Sequence, residues 1–547
     1  MLRHSLRQIH HAARTSYSPV PRTCLKVTTQ RISLVQNVPV LLPALTVPHC
    51  WFRYLFFCDP LADLEVAWEN STDLQPSPVS TIIEARPATA RTVVLIDPLS
   101  TGVLLQERLF DAGYRIILVW SERTQPATRE KHYERTGHPV QDFEGVVVHD
   151  GKDINTTLSQ IVQVTTDIHA VMCGSEFSVL LEDHVAEGLN DILGTNHLKS
   201  SGMAHVPMKV DKYLQANAVR QVGLDAICES LAHSEGDVRK FLTENSDGQQ
   251  DEDVKFVVKP QTGAGSVGVT FCESKQAVVE AFRGILNGEH KAKYGSRYQD
   301  YKQELSAGVL LQEYLDGTEY IVNSVVRNGE IKTTAMFKYD KRPYNGAGFV
   351  CFSKELVVPS DDPDCLHVIE YTEKVLKAIG LRNGAIHAEV MHVQNRGPVL
   401  VEVNCRLHGG NAAWVRPANA CMGYDQLSVM MDVYLHNGEK QFEMIPSRPM
   451  QATNRCYQVK MRSHIEGTLE CVIKSQLFRI ISLPSYSEHF FSIHPGDRLL
   501  KTVDMPSVPG EVTLIHTDKE ILDEDYNTLN DILSEGIFQV YAEEETL

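Results

Sequence analysis

Glu389, Glu402, Asn404 and Arg406 are the residues whose types and spacing first suggest chemistry. In Val399–Arg406, the residues Val399, Val401, Val403 and Cys405 alternate with Leu400, Glu402, Asn404 and Arg406, the period of a strand with two faces. By the same rule His387 and Glu389 share a face just upstream. A hairpin turning at Asn395-Arg396 sets Glu389 opposite Glu402. Two carboxylates opposed across a ladder repel, and a divalent cation between them removes that penalty. With the amide oxygen of Asn404 they make a hard-oxygen set suited to Mg²⁺, or Mn²⁺ in its place, that also holds phosphates. Arg406 adds a permanent cation at the edge. A solvated polar face on an edge hairpin would show the same alternation.

The second group is Val257-Val258-Lys259-Pro260-Gln261-Thr262-Gly263-Ala264-Gly265-Ser266-Val267-Gly268. Its glycines match G-x-G-x-x-G, but a dinucleotide fingerprint needs a helix next, and here Val269-Thr270-Phe271 reads as a strand. No Gly-Lys-Ser/Thr follows, so it is not a P-loop either. Strand, glycine loop, strand describes a flap whose backbone amides can close over phosphates, with Lys259 as its cation. A Gly-rich hairpin tip with a surface lysine is the plainer alternative. In the third group, Leu310–Leu315 runs into Asp316-Gly317 and Glu319. A polar link after an apolar strand can offer adenine a backbone donor and acceptor, and Glu319 can accept from ribose hydroxyls.

These groups need strands to hold them, and the chain supplies two patterns. From Val93 to Leu189, β-branched runs (Val93–Ile96, Ile116–Trp120, Val146–Val148, Ala170–Cys173) alternate with helical stripes, which implies a parallel sheet. From about Lys212, strands pair through Asp316-Gly317, Arg327-Asn328-Gly329 and Gln394–Gly397, with helices at Lys275–Leu286 and Cys365–Ile379. Beyond Ser447, Phe478–Leu483 and Val512–His516 read as strand-like and Tyr526–Leu533 as helical. Lys338 and Lys341 fit a solvated face better than a site, and His387 is more simply a packed histidine than a partner of Glu389.

A chain of 547 residues with formal charge −18 is long enough for several domains and lacks the broad basic surface of a nucleic-acid binder. Its 12 cysteines form no C-x-x-C pair and read as reduced thiols of an intracellular protein. No acidic residue precedes Asp59, whereas Arg3, Arg7, Arg14, Arg22, Lys26, Arg31 and Arg53 do. Organelle transit peptides and unstructured extensions both have this composition, so the location is cytoplasmic or, with a transit peptide, mitochondrial or plastid. The apolar runs Val38–Leu45 and Trp51–Cys58 are too short and interrupted to span a bilayer, and no membrane partner is expected.

Taken together and in order, Lys-Pro-x-x-Gly-x-Gly and Glu…Glu-x-Asn-x-Arg resemble the ATP-grasp superfamily, in particular its carboxylate–amine ligases, which include L-amino-acid ligases and the ligase part of carnosine synthases. The resemblance implies a multidomain α/β and α+β fold. Its parts are an extension and linker (1–85), a Rossmann-like pre-ATP-grasp domain (86–200), an ATP-grasp fold of two α+β subdomains (201–445) and a small C-terminal α+β domain (446–547). Lys212, within Val210–Tyr213, and Lys259 take the phosphate-lysine positions, and Gly263, Gly265, Ser266 and Gly268 the flap. Gln312, Glu313, Tyr314 and Leu315 take the adenine hinge, and Glu319 the ribose position. Glu389, Glu402 and Asn404 fall at the magnesium ligands. Arg406 falls at the arginine that steadies the acyl phosphate, and Lys259 shares the catalytic role. His408, Gly409 and Gly410 stand where a substrate carboxylate would be held, unless they form only a tight turn with a surface histidine. The implied activity is ATP-dependent amide formation from a carboxylate and an amine, probed against two alternatives, an ATP-grasp carboxylase and a nucleotide sensor. Partners would be ATP and small molecules, and a homodimer is the default assembly.

Overall fold

The computed structural model describes residues 91–246, 254–261, 268–288 and 308–541. The basic N-terminal stretch, the linker to Ala90, and Gly263, Gly265 and Ser266 lie outside the described residues. No described helix is long and apolar enough to cross a membrane, and the described cysteines are all free thiols.

Strands β1 (Thr92–Ile96), β2 (Arg115–Trp120), β3 (Gly145–Val148) and β4 (Ile168–Cys173) form a parallel sheet in the order β3-β2-β1-β4. Every residue of β1 is buried, as in a parallel strand covered on both faces. The crossovers are α1 (Thr101–Asp111), α2 (Pro126–Thr136) and α3 (Ile154–Val164), and α4 (Val179–Leu193) follows β4. Helix α1 begins almost in contact with the turn after β4. A Cβ on Gly102 would lie 2.0 Å from the Gly174 carbonyl oxygen, so only glycine permits this approach.

Helix α5 (Lys212–Gln221) leads to a second, antiparallel sheet of β5 (Glu229–Ala232), β6 (Phe256–Pro260), β7 (Thr270–Cys272) and β8 (Val309–Glu313), ordered β5-β8-β6-β7. Helices α6 (Glu235–Asn245) and α7 (Lys275–Leu286) cover it, packing Val238, Phe241, Val278 and Phe282 onto Phe256, Val258 and Leu311.

The third sheet has eight antiparallel strands: β9 (Gly317–Arg327), β10 (Glu330–Tyr344), β11 (Ala347–Val357), β12 (Gly384–Val393), β13 (Gly397–Asn404), β14 (Arg455–Lys460), β16 (Tyr486–Phe491) and β18 (Gly510–His516). Their order is β13-β12-β9-β10-β11-β14-β18-β16, so strands from beyond residue 446 continue the sheet begun at β9. Short strands β15 (Gly467–Val472), β17 (Arg498–Leu499) and β19 (Phe538–Val540) make a small sheet beside it. Helix α8 (Asp364–Ile379) covers one face, its Val368, Ile369, Val375 and Leu376 packing on Val322, Ile386, Ala388 and Val390. Each such fully buried side chain contributes about 1.5–3 kcal/mol. The opposite face, with Ile321, Phe337 and Leu356, meets Trp414, α9 (Val415–Met422), α10 (Gln426–His436) and apolar residues of the parallel-sheet unit. Helix α12 (Lys519–Glu535) packs Leu522, Leu529 and Leu533 against Val459, Val512 and Leu514.

Two expectations change. Most of Phe478–Leu483 belongs to a helix, α11 (Lys474–Ile481), because a short apolar run suits either element and the amphipathic face decided. Asp316-Gly317 does not close a hairpin, since β8 and β9 belong to different sheets and the dipeptide links them. Asn328-Gly329, both with positive φ (51° and 86°), do form the tight turn between paired Arg327 and Glu330.

Candidate active site

Glu389 and Glu402 face each other across β12 and β13, with His387 opposite Asn404. The alternation expected along β13 is broken by a bulge. Val393 pairs with Gly397 around a three-residue loop, and Val401 is the extra residue where the register slips between Glu389 and Val390. Loop and bulge offset one another, so the carboxylate pair falls where turn counting puts it. Leu400 instead lands with Val403 and Cys405 in the apolar layer under α8.

Lys212 Nζ lies 2.9 Å from Glu402 Oε2, and Asn404 Nδ2 donates to Glu402 Oε1 at 2.8 Å. Burial opposes charge on Glu402, but the lysines Lys212 and Lys259 outweigh it and hold the carboxyl at about 2. For Glu389, burial and the neighbouring Glu402 push upward, yet the His387 hydrogen bond and the Lys341 charge leave it below the usual range. Both carboxylates are therefore anionic at neutral pH. Because Asn404 spends its nitrogen on Glu402, its carbonyl oxygen is the atom left for a metal, and the donor set fits a hard divalent cation. Lys259, 5% exposed on β6, is depressed to about 8 by burial and then by Lys212. Arg406 Nε donates to Glu176 Oε2 at 2.6 Å, and Glu176 comes from the turn after β4.

Three further residues enter the site without a sequence signal of their own. Glu176 is one. Glu229, on β5, has its carboxyl raised by burial and accepts from Gln312 at 2.6 Å beside Lys259. Lys341 is the third, and it corrects the solvated-face expectation: alternation along β10 puts it on the inner face with Phe337, opposite to Lys338, and there it donates to both Glu319 oxygens at 2.7 and 2.6 Å. Glu319 thus holds Lys341 in place. Lys338 projects from the other face to Asp362 at 3.4 Å.

At the link between sheets, the Glu313 and Tyr314 amides are taken by the carbonyls of Cys228 and Lys255. The Glu313 carboxylate reaches Arg396 at 2.9 Å and accepts from the Cys228 amide at 2.7 Å, tying the link to the β12–β13 turn. Leu315 is buried with Ala216, Ile227 and Val399, an apolar patch drawn from both sheets. Tyr314 joins Phe271 and Phe349, with ring centroids 4.9 and 5.9 Å away. Gln261 bonds Asp211, the cap of α5, which holds the end of β6 near Lys212. Gly268, with φ +74°, stands at the far end of the glycine stretch.

His408 is neither a surface histidine nor part of an open pocket wall. It is 4% exposed and stacked between His387 (4.4 Å) and Trp414 (5.4 Å). Its amide is spent on Gln426, and its carbonyl accepts from Thr101 and Trp414. The amides of Asn411 and Ala412 are taken by Ser100 and Thr101. Ser100 holds φ 54° without being glycine, and this strained backbone puts its hydroxyl on the loop. His387, read as simply packed, bonds Glu389 Oε1 at 3.3 Å. Asp364, His367 and His392 also bring ligand atoms within 4.8 Å of one another, but behind the sheet on the α8 side, with His367 exposed.

Residues 252–414 match the model of the ATP-grasp domain. The chain is 28% identical over 386 residues to dapdiamide A synthase of Enterobacter agglomerans, covering 71% of this chain and 83% of that protein. It is 23% identical to alanine–anticapsin ligase of Bacillus subtilis (strain 168), over 43% of this chain and 49% of that one. Among solved structures, L-amino acid ligase from Bacillus licheniformis shares the fold, with TM-score 0.59, 15% identity, and 81% and 97% of the two chains covered.

Proposed function

We propose that this chain is an ATP-grasp ligase that forms carbon–nitrogen bonds, and that Lys212, Lys259, Glu389, Glu402, Asn404 and Arg406 assemble one site where ATP phosphorylates a carboxylate and an amine then displaces the phosphate. One observation carries the assignment of the site. Two anionic carboxylates with an amide oxygen sit opposite two lysines and an arginine, all drawn together from four elements.

A divalent cation held by Glu389, Glu402 and the Asn404 oxygen would neutralise phosphate charge. Lys212 and Lys259 supply the protein's own cations on the same side, and a triphosphate brings the negative charge that Lys259 lacks. Leu315 and its apolar neighbours form a slot for adenine, with the backbone at Glu313 and Leu315 as its acceptor and donor. Gly263, Gly265, Ser266 and Gly268 are assigned to close over the phosphates and keep water from the acyl phosphate. Glu176 positions Arg406, whose guanidinium stabilises the oxyanion when the amine attacks. With the His408 amide engaged, Gly409 and Gly410 are left to hold a substrate carboxylate. The similarity to dapdiamide A synthase and alanine–anticapsin ligase favours amino-acid-like substrates.

The test is Mg²⁺-dependent release of ADP and phosphate from ATP by the full chain, offered amino acids singly and in pairs. Release that requires one pair, with a new amide in the products, is the expected result. ATP binding with no stimulation by any carboxylate or amine would overturn the assignment.

A further inference from the structure

Behind Glu389 the structure holds a row of polar groups that the reaction outlined above does not use. Lys354 Nζ is 3.3 Å from His408 Nε2. His408 Nδ1 is 3.0 Å from Asn323 Nδ2, and Asn323 Oδ1 is 3.0 Å from His387 Nδ1. His387 Nε2 is 3.3 Å from Glu389 Oε1. Asn323 is fully buried, and His387, His408 and Lys354 are 5%, 4% and 5% exposed. The row draws on β12, β9, the loop after β13, and β11, with His387 and Asn323 directly opposed in register.

The two ends fix the direction of every bond. An anionic carboxylate only accepts, so His387 Nε2 carries the hydrogen. In a neutral ring Nδ1 is then bare and needs a donor, which Asn323 supplies with its NH₂ once the amide is turned end for end, an exchange of nitrogen and oxygen that leaves its shape unchanged. The Asn323 oxygen then faces His408 Nδ1, which must be protonated. That leaves His408 Nε2 bare to accept from the Lys354 ammonium, a group that only donates. Every group fills a role it can play, and both imidazoles stay neutral, as burial requires of His408. The Asn323 amide as the structure sets it, nitrogen toward His408, asks His387 to donate from both nitrogens. It therefore places an imidazolium in this dry interior, or a bare ring nitrogen against the Glu389 carboxylate.

We infer that Lys354, His408, Asn323 and His387 are positioning residues, a one-way hydrogen-bond chain that fixes Glu389 Oε1 and so turns its other oxygen toward the metal and nucleotide. This rests on the assignment of Glu389 as a metal ligand. Asparagine suits the centre because its short amide joins donor and acceptor, and the His408 ring is clamped between His387 and Trp414 so that it cannot rotate away.

Imidazole ¹⁵N NMR of the full chain reads the direction without any substitution. The expected result is opposite tautomers, Nε2–H at His387 and Nδ1–H at His408. The same tautomer at both, or the reverse pair, would overturn the chain. Mn²⁺ binding in the presence of ADP, followed by electron paramagnetic resonance, reads its purpose. Asn323→Leu and Lys354→Met should each weaken Mn²⁺ by about tenfold to a hundredfold, while ADP binding without metal stays as in the parent. Unchanged Mn²⁺ affinity in folded variants would refute the positioning role. Neither measurement depends on finding the substrates, so a failed ligase assay leaves both readable.

Discussion

At the β13 end of the eight-stranded sheet, Lys212 from a neighbouring helix meets Glu402 in a space it shares with Lys259, Glu389 and Arg406. At the β18 end of the same face, Lys460 meets Glu511 directly across the ladder, and Gln458 occupies the second Glu511 oxygen at 2.7 Å. Both pairs are buried lysine–carboxylate contacts. At β18 one lysine and one carboxylate meet between adjacent strands, and burial with the neighbouring Lys354 still depresses Lys460 to about 7. At β13 several charges from different elements share one space, Lys212, Lys259 and Arg406 around Glu389 and Glu402, with Lys259 at about 8. Both ends bury a lysine at a cost, so what sets them apart is composition, a lone pair at β18 against a cluster of three cations and two carboxylates at β13.

The widest separation between the two ends should come from matched double substitutions. Glu511→Leu alone strands a buried lysine and should cost roughly 3–5 kcal/mol in denaturant unfolding, whereas Lys460→Met with Glu511→Leu should recover most of that loss. The double variant should form product like the parent. At the other end, Lys212→Met with Glu402→Leu should leave a folded protein whose product formation falls by about 10²–10³-fold or more. Equal losses of product at both ends would erase the distinction. Arg406→Ala should reduce amide formation by about 10²-fold while ADP binding, measured by calorimetry, persists. Full activity in that variant would remove Arg406 from the chemistry.

A smaller effect should appear with pH. Lys259 sits at about 8 in the folded chain, against roughly 10.4 when unfolded. The folded chain binds fewer protons between these values, so this group adds stability as pH rises through that window and costs stability below it. Nucleotide binding runs the other way, because phosphates favour the ammonium. ADP affinity should fall by up to about tenfold for each pH unit above 8, with proton uptake on binding, and Lys259→Met should abolish the slope. The smallest change belongs to Asp518→Ala. That substitution removes the cap of α12 behind the β18 end and should cost about 1 kcal/mol with no change in turnover.

The sequence makes the carboxylate pair legible because turn position and alternation are local properties. The pairing holds even though the loop is longer than expected and a bulge makes up the difference. Lys341 reads with Lys338 as a solvated face, but the two stand three residues apart on one strand, so alternation sends Lys341 inward to Glu319. Glu176 stands 230 positions from Arg406, and only packing of the parallel-sheet unit against the large sheet joins them. His408 looked like a surface residue because its neighbours are glycines, while the three rings that bury it come from β12, β10 and its own loop. Short apolar runs remain ambiguous in the same way, which is why α11 read as strand.

The hydroxyls of Ser100 and Thr101 clasp the loop from His408 to Ala412 across more than three hundred positions of chain. For anyone recombining this protein with a relative to redirect its substrates, that clasp marks the seam. A front unit transplanted without Ser100, Thr101 and Glu176 would still pack against the back half but would lose its hold on this loop and on Arg406. A chimera that keeps the three, and exchanges the rest of the surface facing the site, has the better prospect of remaining one working molecule.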